Sequence, residues 1–364
     1  MRLINTRTYQ LEEFLDTSVP TYAILSHTWA EGEVLFQDMQ DLHEAQRKKG
    51  YSKIQFTCEQ AQKRQLEYAW VDTCCIDKSS SAELQEAINS MYRWYANAER
   101  CFVFLADLVG GEEWLLTEEP NLFPDGIYRP PRSQDAITSK TVTRSRVAEL
   151  QGCKWFSRGW TLQELIAPKA IDFFNSDGLR VGSRNGLIQP ISEITGIDIR
   201  ILTHTFQLSS ICVAKRMSWA AHRQTSRVED QAYSLLGIFD VNMPMLYGEG
   251  NRAFIRLQEE LIRSSIDHSV FAWSSGAFAS TDLFATSPAN FRYSDVVVSW
   301  GRGTSFDLTN KGLRITLPVV EEQRPDHTQY LAVLNCRYKD DLRKSLALRL
   351  RKYCLLYTSP SPRD

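Results

Sequence analysis

The spacing of apolar positions changes character along this chain. Residues 22–29 (Tyr-Ala-Ile-Leu-Ser-His-Thr-Trp) form a short apolar run ending in polar groups, which reads as a buried strand. Residues 44–67 carry spaced apolar positions among Gln, Lys, Arg and Glu and predict a helix. A second strand follows at 68–72 (Tyr-Ala-Trp-Val-Asp). Ser80 or Ser81 is placed to cap a helix from Ala82 to about Asn97, with Leu84, Ile88, Met91, Tyr92 and Tyr95 on its apolar face. Residues 100–107 give a third strand. Strands alternating with helices predict a parallel sheet with helices on its faces. In such sheets ligands bind outside the carboxyl ends of the strands. Ser26, His27 and Trp29, then Asp72, Cys75 and Asp77, then Asp107 fall at that edge.

The pattern breaks over 109–150, where Gly110-Gly111, four prolines and many Ser and Thr predict a long surface insertion. Residues 170–174 read as another strand, and 186–266 as a mainly helical extension with Gly237 as a helix C-cap. Gly248 and Gly250 precede a helix from about Arg252. A phosphate site there is conceivable, but without a full phosphate-loop pattern a plain turn is the preferred reading. Over 267–353 short runs rich in Val, Phe, Thr and Trp predict a small β-rich domain; at its end Leu346, Leu348 and Leu350 alternate with polar neighbours. The division is therefore a 1–20 lead, an α/β domain over 21–185, the extension, the β-rich domain, and a Ser/Pro-rich tail at 354–364 that resembles adapter read-through.

Composition adds limits. The 364 residues are 43% hydrophobic and 24% charged with a net charge of -2, an ordinary globular balance. Scattered basic residues argue against a nucleic-acid partner. The eight cysteines show no zinc-ligand rhythm and fit free thiols in a reducing compartment. No stretch approaches the roughly 20 apolar residues of a membrane span, and no metal is expected. These features lead us to expect a soluble cytoplasmic protein.

Residues 155–165 (Trp-Phe-Ser-Arg-Gly-Trp-Thr-Leu-Gln-Glu-Leu) concentrate the most chemistry. If the chain is helical from Thr161, Leu162, Leu165 and Ile166 share a buried face and Glu164 sits beside it. A carboxylate flanked by indoles and the Arg158 guanidinium is open to pKa tuning. The plainer alternative is a surface pair between Arg158 and Glu164 beside core tryptophans.

Three blocks together resemble the fungal heterokaryon incompatibility (HET) domain: residues 22–29; Trp70-Val-Asp-Thr-Cys-Cys-Ile-Asp-Lys78 followed by residues 88–95; and Arg158-Gly-Trp-Thr-Leu-Gln-Glu-Leu165. One departure is Ala30 after Trp29, where the family usually continues with Gly. Residues 214–250 look like the extension that often follows this domain. The resemblance implies a role in nonself recognition and programmed cell death, and a distant likeness to Toll/interleukin-1 receptor (TIR) folds. In plant and prokaryotic TIR domains a similar Ser-x-Trp-Cys-x-x-Glu-Leu segment carries the catalytic glutamate of NAD glycohydrolases. That likeness assigns catalysis to Glu164, with NAD as substrate and no cofactor. Ser26, His27, Trp29, Asp72, Asp77, Arg158 and Trp160 become substrate-binding candidates. Trp29 or Trp160 would stack on a ring and Arg158 would hold a phosphate.

A second reading is non-catalytic. TIR-like domains also signal through homo-oligomers, acting here with an unidentified protein partner. A third reading is a cysteine hydrolase using Cys75, His27 and Asp72. Asp72 and Asp77 as a magnesium site is weaker still.

Overall fold

In the computed structural model, the described residues are 1–15, 17–110, 144–274, 283–298, 305–323 and 328–350. Most of the expected insertion and the whole 354–364 tail lie outside them.

Seven strands form one mixed sheet: β1 (Arg2–Asn5), β2 (Leu11–Glu13), β3 (Tyr22–His27), β4 (Tyr68–Trp70), β5 (Arg100–Phe104), β6 (Ile171–Phe174) and β7 (Arg180–Ser183). Their spatial order is β2-β1-β4-β3-β5-β6-β7. The four central strands are parallel, as the alternating pattern predicts. A wholly parallel sheet is not what forms, because β1 runs antiparallel to both β2 and β4, and β7 antiparallel to β6. The residues expected to be a lead thus extend the sheet. Leu3 and Ile4 are fully buried, but four-residue strands give too short a run for periodicity to reveal.

The chain leaves β3 for β4 on one side and reaches β5 on the other. This reversal opens a crevice at the carboxyl ends of β3, β4 and β5, where open α/β sheets bind ligands. The helix Ser81–Asn97 covers one face and begins where its polar start signal lies: the Ser80 hydroxyl accepts the Glu83 N–H. Its buried positions include Ala87, Ile88, Met91, Trp94 and Tyr95. The single helix expected over 44–67 is two, Leu42–Arg47 and Tyr51–Gln62, separated at Gly50. A Cβ on Gly50 would lie 2.8 Å from the Glu33 backbone, so close packing selects the glycine.

The extension packs against the helix Ser81–Asn97 through Gly237. That residue lies inside the helix Leu236–Phe239, not at its C-cap. A Cβ on it would meet the Tyr92 Cβ at 2.1 Å. The left-handed cap is instead Asp240, at φ 56°.

The β-rich part contains β8 (Val296–Val298), β9 (Phe306–Thr309), β10 (Gly312–Ile315), β11 (Val319–Gln323), β12 (Thr328–Tyr338) and β13 (Ser345–Leu350). β12 pairs with β8, β11 and β13, and β9 with β10, all antiparallel. Leu346 and Leu348 pack inward as the alternation predicts, while Leu350 stays exposed. Among the described residues no helix is long and apolar enough to cross a membrane. The seven described cysteines are free and buried.

Candidate active site at the strand ends

The site grows from the short helix Thr161–Ile166, every residue of which is buried. Thr161 anchors its start by donating its hydroxyl to the carbonyls of Trp155 and Arg158. At its far end the buried Arg184 guanidinium donates to the carbonyls of Leu165, Pro168 and Lys169. Behind it, Trp155 is fully buried and packs edge-on against Phe156 and Phe173. Each such ring removes roughly 150–250 Å² from water, on the order of 4–6 kcal/mol. The helix therefore has a firm backing.

Glu164 is 6% exposed. It accepts a hydrogen bond from the Ser26 hydroxyl, and Ser26 in turn accepts the Trp155 indole N–H at 2.7 Å. The surface Arg158–Glu164 pair does not form. Arg158 acts on the carboxylate only at longer range. Burial raises the Glu164 pKa to about 8; the Ser26 bond opposes that rise, the Asp72 charge adds to it, and Arg158 opposes it.

Asp72, just beyond β4, behaves oppositely. Burial would raise its pKa, but Lys78, His27 and Trp29 outweigh that and hold it well below the usual carboxylate range. It accepts from His27 Nε2 at 3.0 Å and from the Trp29 indole at 2.8 Å. The other His27 nitrogen faces Glu33 at 3.9 Å. Glu33 also gathers the loop after β3, accepting the Ala30 N–H at 2.8 Å and pairing with Lys53.

These groups surround a cavity of about 710 Å³, within the usual range for small-molecule sites. His27, Trp29, Asp72, Arg158, Trp160 and Glu164 line it, and Ser26 supports it from behind. Asp77 is not brought in. It closes a local turn, accepting from Ser79 and Gln37. The cysteine-hydrolase arrangement does not assemble either. His27 faces two carboxylates, and the buried Cys75 sulfur accepts the Val71 N–H at 3.3 Å. Among the described residues no group of three His, Cys, Asp or Glu side chains is set to hold a metal.

The other side of the cavity comes from the extension, which sequence reasoning left without a role. Gln224 pairs its backbone with residues 157–159: the Gly159 N–H donates to its carbonyl at 2.7 Å, and its N–H donates to the Ser157 carbonyl at 2.6 Å. Arg223 donates to the Arg158 carbonyl and to the Thr161 hydroxyl at 2.8 and 2.9 Å. Arg227, Asp230 and Tyr247 then line the cavity, with the Tyr247 hydroxyl donating to Asp230 at 3.0 Å. Burial raises the Asp230 pKa, opposed by its bonds to Tyr247 and Trp160. The Gly248–Gly250 turn is no phosphate site: both glycine N–H groups donate to Glu229, at 2.8 and 3.0 Å. Lys78 also lines the cavity. Its place in the block ending at residue 78 was the available signal, and its chemistry was passed over.

Residues 22–164 match the family model described as heterokaryon incompatibility protein (HET), and residues 252–293 match a domain of unknown function. The vegetative incompatibility protein HET-E-1 of Podospora anserina is 45% identical over 246 residues, covering 67% of this chain. The match spans 16% of that relative's length. No solved structure matches.

Proposed function

We propose that this chain, whose residues 22–164 are a HET domain, serves as an incompatibility effector that hydrolyses NAD at Glu164. The observation that carries this reading is a buried carboxylate, with no cation partner among the described residues, that lines a ligand-sized cavity at the strand switch point. The likeness of residues 157–165 to the catalytic segment of TIR NAD glycohydrolases supports it, as does the similarity to a vegetative incompatibility protein.

The chemistry suits one carboxylate. The bond from ribose C1′ to the nicotinamide nitrogen breaks with its electron pair leaving on that nitrogen, which neutralises the pyridinium. No general acid is needed. The ribose gains oxocarbenium character, and an ionised Glu164 stabilises it electrostatically. Water then bonds to C1′ and releases one proton, which the ionised Glu164 accepts; because burial raises its pKa to about 8, the reactive ionised form grows in as pH rises toward that value. Trp29 supplies a ring face at the cavity rim. Trp160 and Tyr247 narrow the side formed by the extension.

The test is incubation of the purified chain with NAD, following nicotinamide and ADP-ribose. Glu164→Gln should lower turnover by about 10²–10³-fold with the circular dichroism spectrum unchanged. Equal turnover by the variant would remove Glu164 from the mechanism. Cell death that survives Glu164→Gln with assembly intact would move the function from hydrolysis to self-association.

A further inference from the structure

The charged groups of the cavity are satisfied unequally. Its four carboxylates each accept a hydrogen bond from the protein: Asp72 from His27 and Trp29, Asp107 from the Lys154 N–H, Glu164 from Ser26, and Asp230 from Tyr247. Its four cations are Lys78, Lys154, Arg158 and Arg227. Among the described residues none of their side chains makes a hydrogen bond or ion pair. Lys78 is the sharpest case. Its Nζ is buried with no acceptor, 3.6 Å from the centre of the Trp29 ring. Arg158 lies 5.6 Å from that same ring, and Arg227 lies 4.4 Å from the Tyr247 ring. Ring faces attract cations but leave their N–H donors unused.

A buried ammonium without an acceptor is costly to maintain. Asp72 offsets part of the cost, yet both its oxygens are already engaged by His27 and Trp29. We infer that the cavity takes a ligand bearing a phosphate or diphosphate, with Lys78 as its buried anion contact and Arg158 and Arg227 completing the cradle. The inference rests on the cavity of the proposed function and extends it. It names the charge class of the ligand, and it draws one anion contact from the extension, outside residues 22–164. Arg227 reaches the cavity because Gln224 is tied to residues 157–159.

Titration calorimetry on the full chain tests this without any turnover, using ADP-ribose, inorganic pyrophosphate and adenosine as probes. ADP-ribose and pyrophosphate should bind, with adenosine at least about tenfold weaker, as expected for losing one charge-assisted contact. Lys78→Gln should weaken ADP-ribose binding by roughly ten- to a hundredfold. Pyrophosphate affinity of the unaltered chain should fall as sodium chloride is raised. Equal affinity for adenosine and ADP-ribose would overturn the inference. So would a folded Lys78→Gln variant that binds as the parent does, or no binding of either phosphate compound at millimolar concentration. If Lys78→Gln does not fold, the adenosine comparison and the salt series decide the matter. Lys78-dependent ADP-ribose binding in a chain that leaves NAD intact would keep this inference and discard hydrolysis. NAD cleavage with Lys78-independent binding would do the reverse.

Discussion

Two buried carboxylates, one on the sheet and one on the short helix beside its strand ends, have opposite surroundings. Asp172, near the amino-terminal end of β6, is 2% exposed and surrounded by arginines. Arg180 donates to one of its oxygens at 3.0 and 2.8 Å, Arg64 to the other at 3.0 Å, and Arg100 stands 3.8 Å away. Glu164, at the carboxyl ends of the strands, has a hydroxyl for a partner and no cation within ion-pair distance among the described residues. The first charge is matched where it is buried, so it holds β5, β6 and β7 together. The second is buried without a matching charge, so burial raises its pKa and favours the protonated form.

The widest way to sharpen this contrast is pH. Below 4.5 Glu164 is protonated whether the chain is folded or not, and the site costs nothing in ionisation. Between 4.5 and about 8 the unfolded chain gives up the proton while the folded chain keeps it, so stability falls as pH rises. The slope is about 1.4 kcal/mol per pH unit, which gives a ceiling of roughly 5 kcal/mol above pH 8. Glu164→Gln removes the ionisation, so its advantage over the parent chain should open across that window and level off beyond it. Urea denaturation at pH 5, 7 and 9 measures it. A gap that does not change with pH would mean that this carboxylate is solvated.

Asp172→Asn should act the other way. It leaves three arginines facing one another, and their side chains are 26%, 38% and 42% exposed, so solvent softens the loss. We expect a cost of about 2–3 kcal/mol, read from the same denaturation curves. NAD turnover per folded molecule should be unchanged. A fall in turnover without a fall in stability would break the division between a structural end of the sheet and the end proposed to act on NAD.

Ser26→Ala probes the cavity end more gently. It strands the buried Trp155 N–H at a cost of about 1–2 kcal/mol. It also removes a bond that holds the Glu164 pKa down. The pH at which NAD turnover reaches half its maximum should therefore move upward. A downward shift would mean that Ser26 does not donate to this carboxylate.

Much of the cavity end was legible because its parts are local. Three short strands, a capped helix and one Trp-rich segment each carry their own pattern, and the rule for parallel strands brings Ser26, Trp29 and Asp72 to one edge. What stayed hidden depends on contacts far apart in sequence. Gln224 meets Gly159 through backbone hydrogen bonds, which any residue type can make, so Arg227 and Asp230 gave no sign of joining the cavity. Gly237 looked like a helix end because a glycine demanded by close packing against Tyr92 is spelled like one demanded by a left-handed cap. The antiparallel strands β1, β2 and β7 are too short for a period to show.

Asp77 marks the edge of the site and gives the smallest effect. Sequence position places it with Asp72, but its Oδ1 accepts from the Ser79 N–H at 3.0 Å, the Ser79 hydroxyl at 2.6 Å and Gln37 at 2.8 Å. The first two of these bonds lower its pKa most. An asparagine keeps the same acceptor oxygen, so the turn should survive. Asp77→Asn should leave kcat/KM for NAD within about twofold of the parent and shift the melting temperature less than any other variant here. A loss of turnover comparable to that of Glu164→Gln would place Asp77 against the substrate. The cavity would then have to reach past Lys78 toward the Ser79 turn.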